Sequence, residues 1–141
     1  MNKKRIMIIV IALIIILAFV FKDNIIRTYV TVSHEKLEQY SSDFLDKKDN
    51  QSATYGLWDV RSNSEGNMVE FITSSFGLVP SSTYKGFYYS VDNTHKVFSF
   101  ANASIVTMEI DGDTATWTDG TDNNGTSNRI IDNWFWFEAS F

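Results

Sequence analysis

Between Ile6 and Phe21 the chain reads IMIIVIALIIILAFVF, sixteen consecutive residues with no polar group, preceded by Lys3, Lys4 and Arg5 and followed by Lys22 and Asp23. An amphipathic helix on a soluble core needs a polar face, and this segment has none. As a helix rising about 1.5 Å per residue it is ~24 Å long, slightly under the ~30 Å hydrocarbon core of a bilayer. Lys22 can snorkel and the bilayer can thin to close that gap, so the segment is expected to span as a signal anchor. A cleaved secretory leader is the competing reading. Its apolar part is usually about 7 to 15 residues and ends in a small-x-small site, whereas Phe19 to Asp23 offer none. The chain has no cysteine, so a lipid-modified leader is excluded.

Orientation follows from the flanks, because cytoplasmic ends carry the Lys/Arg excess. The three basic residues ahead of the run predict a cytoplasmic N-terminus, a single pass through the cell membrane, and everything from about Asp23 outside. That outer part carries 17 acidic residues against 8 basic, the other four basic residues being Lys3, Lys4, Arg5 and Lys22. Nucleic acid is therefore not expected as a partner, since binding it needs a basic surface that displaces counterions. Nor is a second, peripheral membrane contact expected, because an acidic surface is not drawn to anionic headgroups.

Beyond the anchor, the glycines and the proline divide the chain. All seven glycines, Gly56 to Gly125, and the single Pro80 lie past residue 50, which reads as helix first and turn-rich β structure afterwards. Leu37, Tyr40, Phe44 and Leu45 mark an apolar stripe of helical period between Ser33 and Lys48, with Ser33 as N-cap and Lys47 and Lys48 in the last turn. Whether NIIRTYVTV before it continues the membrane helix or breaks it stays open. From Tyr55 onward, short aromatic and β-branched runs alternate with turns, as antiparallel strands do. Hairpins are expected for 57–61 with 68–73, for 87–91 with 97–101, and for 106–110 with 114–118, before a last run from Arg129 to Phe141. The expected fold is α+β: a transmembrane helix, one amphipathic helix, then an antiparallel meander sheet of five to seven strands. The domain boundaries are 1–22 for tail and anchor, 23–52 for a juxtamembrane linker and helix, and 53–141 for the β-rich portion.

In the last run, alternation puts Ile131, Phe135, Phe137, Ala139 and Phe141 on one face and Ile130, Asp132, Trp134, Trp136 and Glu138 on the other. With one helix available, the Phe135/Phe137 face is assigned to it. The Trp134/Trp136 face then needs a second cover, such as the loop Gly77 to Gly86, or a ligand. Trp134 and Trp136, flanked by Asp132 and Glu138, are the candidate binding residues, because indole faces with neighbouring carboxylates suit sugars and cations.

No catalytic constellation stands out. Paired carboxylates acting on wall polysaccharide would have to come from Asp59, Glu70 and Glu138. Asp111-Gly112-Asp113 and the stretch Asp119 to Gly125 supply hard oxygens, but neither fits the EF-hand spacing, and Asp-Gly and Asn-Gly are common hairpin turns. His34 and His95 have no ligand spacing. Ser74, Ser75, Ser81 and Ser82 have no nucleophile elbow, and Asn124-Gly-Thr is only a glycosylation triplet. No metal or cofactor is implied. The order of elements resembles that of type IV pilin-like subunits, although the glutamate that family carries near the start of its apolar helix is missing between Met7 and Phe21. The expectation is a membrane-anchored extracytoplasmic binding or interaction module of the cell envelope with an unknown protein or carbohydrate partner. The alternatives are a polysaccharide-acting enzyme and a structural subunit of a membrane assembly, whose helix would want the small-residue seam that this one lacks.

Overall fold

The computed structural model describes residues 3–47, 52–78, 81–101 and 105–141. Among the described residues two helices precede an eight-stranded antiparallel sheet, more strands than the five to seven expected. Helix α1, Lys3–Val20, has no buried residue. Helix α2, Lys22–Asp46, buries Ile26, Val30, Leu37, Ser41 and Phe44 along one face. Among the described residues no single helix is long and apolar enough to cross a membrane, but α1 and α2 taken together, bent by 64° at their junction, pass that test.

Helix α2 starts eleven residues before the expected N-cap Ser33, so the β-branched run 24–32 is helical. Burial of Ile26 and Val30 against the sheet holds this run in the helix, and the Thr28 and Thr31 hydroxyls are accommodated by donating back to the carbonyls of Asn24 and Arg27, four residues earlier. At the bend, Phe21 N–H still donates to Leu17 O and Ile25 N–H to Phe21 O, both at 2.9 Å, so helical bonding continues on either side of the kink. Lys47 follows the last turn as its C-cap, and Lys48 lies outside the described residues.

The strands are β1 Ser52–Tyr55, β2 Trp58–Ser62, β3 Met68–Leu78, β4 Ser81–Ser90, β5 Thr107–Asp111, β6 Thr114–Thr118, β7 Asn124–Ile131 and β8 Trp134–Ser140. They lie in the order β1-β2-β3-β4-β8-β7-β6-β5. Two four-strand meanders are thus joined by the central β4–β8 pair, in which Gly86 lies opposite Phe137 and Tyr89 opposite Trp134. The expected hairpins at 57–73 and 106–118 are present as β2–β3 and β5–β6.

Three expectations need correcting. Residues 97–101 form no strand: the connection 91–106, described for 91–101 and 105–106, carries the chain from β4 at the sheet centre to the far edge at β5. The last run is two strands, divided by a turn in which Asn133 takes φ 66°. Gly77 to Gly86 is no covering loop either, because β3 and β4 extend through it, with Val79 and Pro80 outside the described residues.

The assignment of faces is also reversed. Trp134 and Trp136 join Val60, Val69, Phe71, Phe87 and Tyr89 beneath α2. Phe135, Phe137 and Ala139 join Met68, Ile72, Tyr88 and Trp117 on the opposite face, where Phe98 from the 91–106 strap packs over them. Each face of β8 therefore has its own cover, one a helix and the other an irregular segment.

Candidate functional site

The four candidate binding residues do not form an open platform. Trp134 and Trp136 are 1% and 0% exposed, Phe87 and Tyr89 lie against Trp134, and the Arg27 guanidinium of α2 sits 5.0 Å from the Trp136 ring. Trp136 Nε1 reaches Glu138 at 3.4 Å, and Glu138 pairs at 3.1 Å with Lys85, which also approaches Asp23 of α2. Asp132 lies exposed in the β7–β8 turn. The aromatic and carboxylate residues that looked like a stacking surface thus belong mainly to the seam between α2 and the sheet.

The three candidate catalytic carboxylates are separated in the same way. Register places Asp59 and Glu70 on the strap-covered face, since they pair with Ile72 and Tyr88, while Glu138 lies on the α2 face with Trp134 and Trp136. Asp59 is exposed and Glu70 is fully buried.

Glu70 stands mid-strand opposite Arg61 on β2 and Tyr88 on β4. Its carboxylate accepts Ser99 N–H at 2.8 Å and the Ser99 hydroxyl at 2.5 Å. Burial pushes its pKa from 4.5 up to about 7, against the two Ser99 bonds and the Arg61 charge, which pull it down. A charge in low dielectric is costly, and hydrogen bonds to the charged form offset only part of that cost. Glu70 therefore pins the middle of the strap to the sheet.

A second polar knot lies beside it. The Ser127 hydroxyl of β7 is 2.7 Å from the Tyr88 hydroxyl and 2.7 Å from His95 Nδ1. Lys96 N–H donates to the Tyr88 hydroxyl, and His95 packs on Phe135 with ring centroids 4.8 Å apart. Burial and the neighbouring Arg129 charge hold the His95 pKa below its ordinary value. Burial pushes the Tyr88 hydroxyl up to about 12. A serine beside a histidine is the geometry of an activated nucleophile. Here Ser127 is 1% exposed, with no approach for a substrate carbonyl, so the pair acts as a hydrogen-bonded post under the strap.

The strap and the β2–β3 turn enclose a depression of about 310 Å³, lined by Asn63, Glu65, Lys96, Ser99 and Met108 among others. That volume is at the lower end for small-molecule sites, and its lining mixes amide, hydroxyl and charged groups over an apolar floor. Sequence reading missed it because its walls come from a turn and a segment taken for a strand. The signal was Glu70, a carboxylate at a core position inside the otherwise apolar run Met68 to Ile72.

The oxygen-rich turns are self-satisfied. The Asp119 carboxylate accepts from Thr121 N–H, the Thr121 hydroxyl and Asn123 Nδ2, and Asp111 to Asp113 make the β5–β6 turn around Gly112. Among the described residues no three His, Cys, Asp or Glu side chains are grouped to hold a metal ion. No protein-family model, curated protein or solved structure matches the chain.

Proposed function

We propose that this chain is a single-pass membrane protein of the cell envelope, with its N-terminus cytoplasmic and a small α+β head outside that binds a partner. One observation carries the reading: α1 contributes nothing to the core. Its apolar side chains from Ile6 to Val20 are exposed along the whole helix, a surface far beyond the few hundred Å² of contiguous apolar patch that a soluble monomer shows. Lipid is the solvent that suits it, with Lys3, Lys4 and Arg5 at one end and Lys22 at the other to meet the headgroups.

The depression beside the strap is the reading's candidate for the partner. The β2–β3 turn that forms one wall lies at the Met68–Ser90 end of the sheet. The start of α2 is fastened five residues further along β3, through Lys22 Nζ to Thr73 O at 3.1 Å. A site at the end away from the anchor is free to meet protein or polysaccharide.

The experiment exploits the absence of cysteine. Asn2→Cys and Ser64→Cys, made singly in the full chain, are treated in intact cells with a membrane-impermeant maleimide. The expected result is labelling at position 64 and labelling at position 2 only after lysis, with the chain retained in carbonate-washed membranes. Labelling at both positions before lysis, or release by carbonate, overturns the reading.

A further inference from the structure

Two large apolar side chains on the head are left almost wholly outside the core, Leu57 at 101% and Phe76 at 86% exposure. Leu57 lies in the β1–β2 turn and Phe76 in the last part of β3, both at or beyond the level of Thr73, where the start of α2 is tied. The start of α2 is tied to β3 by Lys22 Nζ on Thr73 O and to β4 by the Asp23–Lys85 pair. Phe76 is three residues further along β3, roughly 10 Å beyond Thr73 at strand rise. Leu57 sits in the tight turn Tyr55 to Trp58, and since Asp59 pairs with Ile72, that turn lies level with the residues just after Thr73.

The helix side of this end is apolar as well. Ile25, Tyr29 and Val32, spaced four and three residues apart, form an exposed stripe on α2 that continues from Phe21. Tyr29 touches the Tyr55 hydroxyl and the Trp58 ring of the same β1–β2 turn. Tyrosine and tryptophan with one wet end are the side chains that collect at lipid–water boundaries.

From this placement we infer that the head is not held clear of the membrane: Leu57 and Phe76 dip into the lipid–water interface beside the anchor and fix the head's orientation. The inference rests on the anchored reading above and goes beyond it, since a tethered head could equally hang free. The contact is apolar. The charges at this end include Lys22, Asp23 and Lys85, with Asp23 and Lys85 paired, and Asp122, which borders the same shallow depression as Phe76 and Phe141. None of this forms a basic patch, so anionic lipid adds nothing. The acidity of the head argues against electrostatic docking and leaves apolar insertion untouched.

The test uses the full-length chain reconstituted in phosphatidylcholine vesicles, with single cysteines carrying an environment-sensitive fluorophore. Leu57→Cys and Phe76→Cys probe the interface, Ser64→Cys the far end, and Ile14→Cys the anchor. The expected result is blue-shifted emission at 57 and 76, quenched by shallow spin-labelled lipid and protected from aqueous iodide. Position 64 should stay open to iodide and position 14 should be quenched only by deep labels. Substituting phosphatidylglycerol should leave the pattern unchanged. If 57 and 76 are quenched by iodide as freely as 64 while 14 stays in lipid, the docking is overturned and the anchor stands. If 14 is open to iodide, both readings fall. Burial of 57 and 76 only in phosphatidylglycerol also overturns the inference, because it would mean attraction by charge.

Discussion

Glu70 couples the fold to pH through one buried carboxyl. Its raised pKa means that the folded protein prefers the neutral acid. The stability this contributes is complete below the ordinary value of 4.5 and is lost as pH rises through about 7. A displacement of that size corresponds to about 3 kcal/mol, taking ~1.4 kcal/mol per pH unit. His95 acts in the opposite sense: with its pKa held down, its share is present when neutral and declines as pH falls through about 6.5. Glu70→Gln keeps an acceptor for Ser99 and separates the two. Its melting temperature should exceed that of the wild type at pH 8 and converge with it near pH 4.5. Parallel curves across that range would mean that Glu70 does not titrate as a buried acid. A second residue-scale test falls on Gly125, where a Cβ would stand 2.5 Å from the Trp117 indole. Gly125→Ala is therefore expected to cost about 1 to 3 kcal/mol by overpacking, read as a lower urea midpoint with the slope retained.

At the scale of elements, the strap and β8 decide whether there is one domain. β8 lies between β4 and β7, so it supplies the strand pairing that joins the two meanders. Removing the last seven residues, Phe135 to Phe141, would leave Phe87 and Tyr88 without their strand partners and both covers without much of their floor. That truncation should show no cooperative thermal transition by circular dichroism; a retained sharp melt would mean that the meanders fold without their joint. The strap asks for a gentler change. Ser99→Ala removes the 2.5 Å hydroxyl bond to Glu70 and keeps the backbone one, so a loss of about 1 to 3 kcal/mol is expected, with faster amide exchange across 95–101 as its local signature.

These same elements show what the sequence could and could not disclose. Alternation along WFWFEAS found β8 and both of its faces, because a strand's period survives whatever covers it. The choice of cover did not follow: Val97 and Phe98 read as a strand since apolar runs look alike whether they join a sheet or lie across one, and only Glu70 capturing Ser99 distinguishes the two. The start of α2 was hidden for a related reason, because the β-branched residues of 24–32 favour strands until Ile26 and Val30 find the sheet to pack on. The candidate site suffered most, since Trp134 and Trp136 announce an aromatic face without saying that Arg27 and the rest of α2 already occupy it.

For the whole molecule, the governing relation is between a helix that buries nothing and a head that closes its own core. The head's largest buried side chains, Trp134, Trp136, Tyr88, Phe71 and Phe87, all lie on the sheet; α2 covers all of these but Tyr88 through Ile26, Val30, Leu37 and Phe44 without help from α1, and Tyr88 lies under the strap. If that division is real, residues 22–141 should form a cooperatively folded, detergent-free domain. Its melting temperature should match that of the full chain in vesicles to within about 4 °C, roughly the shift that 1 kcal/mol produces in a domain this small. The truncated head also separates tethering from surface contact. It retains Leu57 and Phe76, so it should sediment only weakly with phosphatidylcholine vesicles, and Leu57→Ser with Phe76→Ser should abolish that weak binding while leaving the melt unchanged. A truncated head that fails to fold would place α1 inside the folding unit. Its apolar surface would then need a protein cover, and the division between anchor and head would be lost.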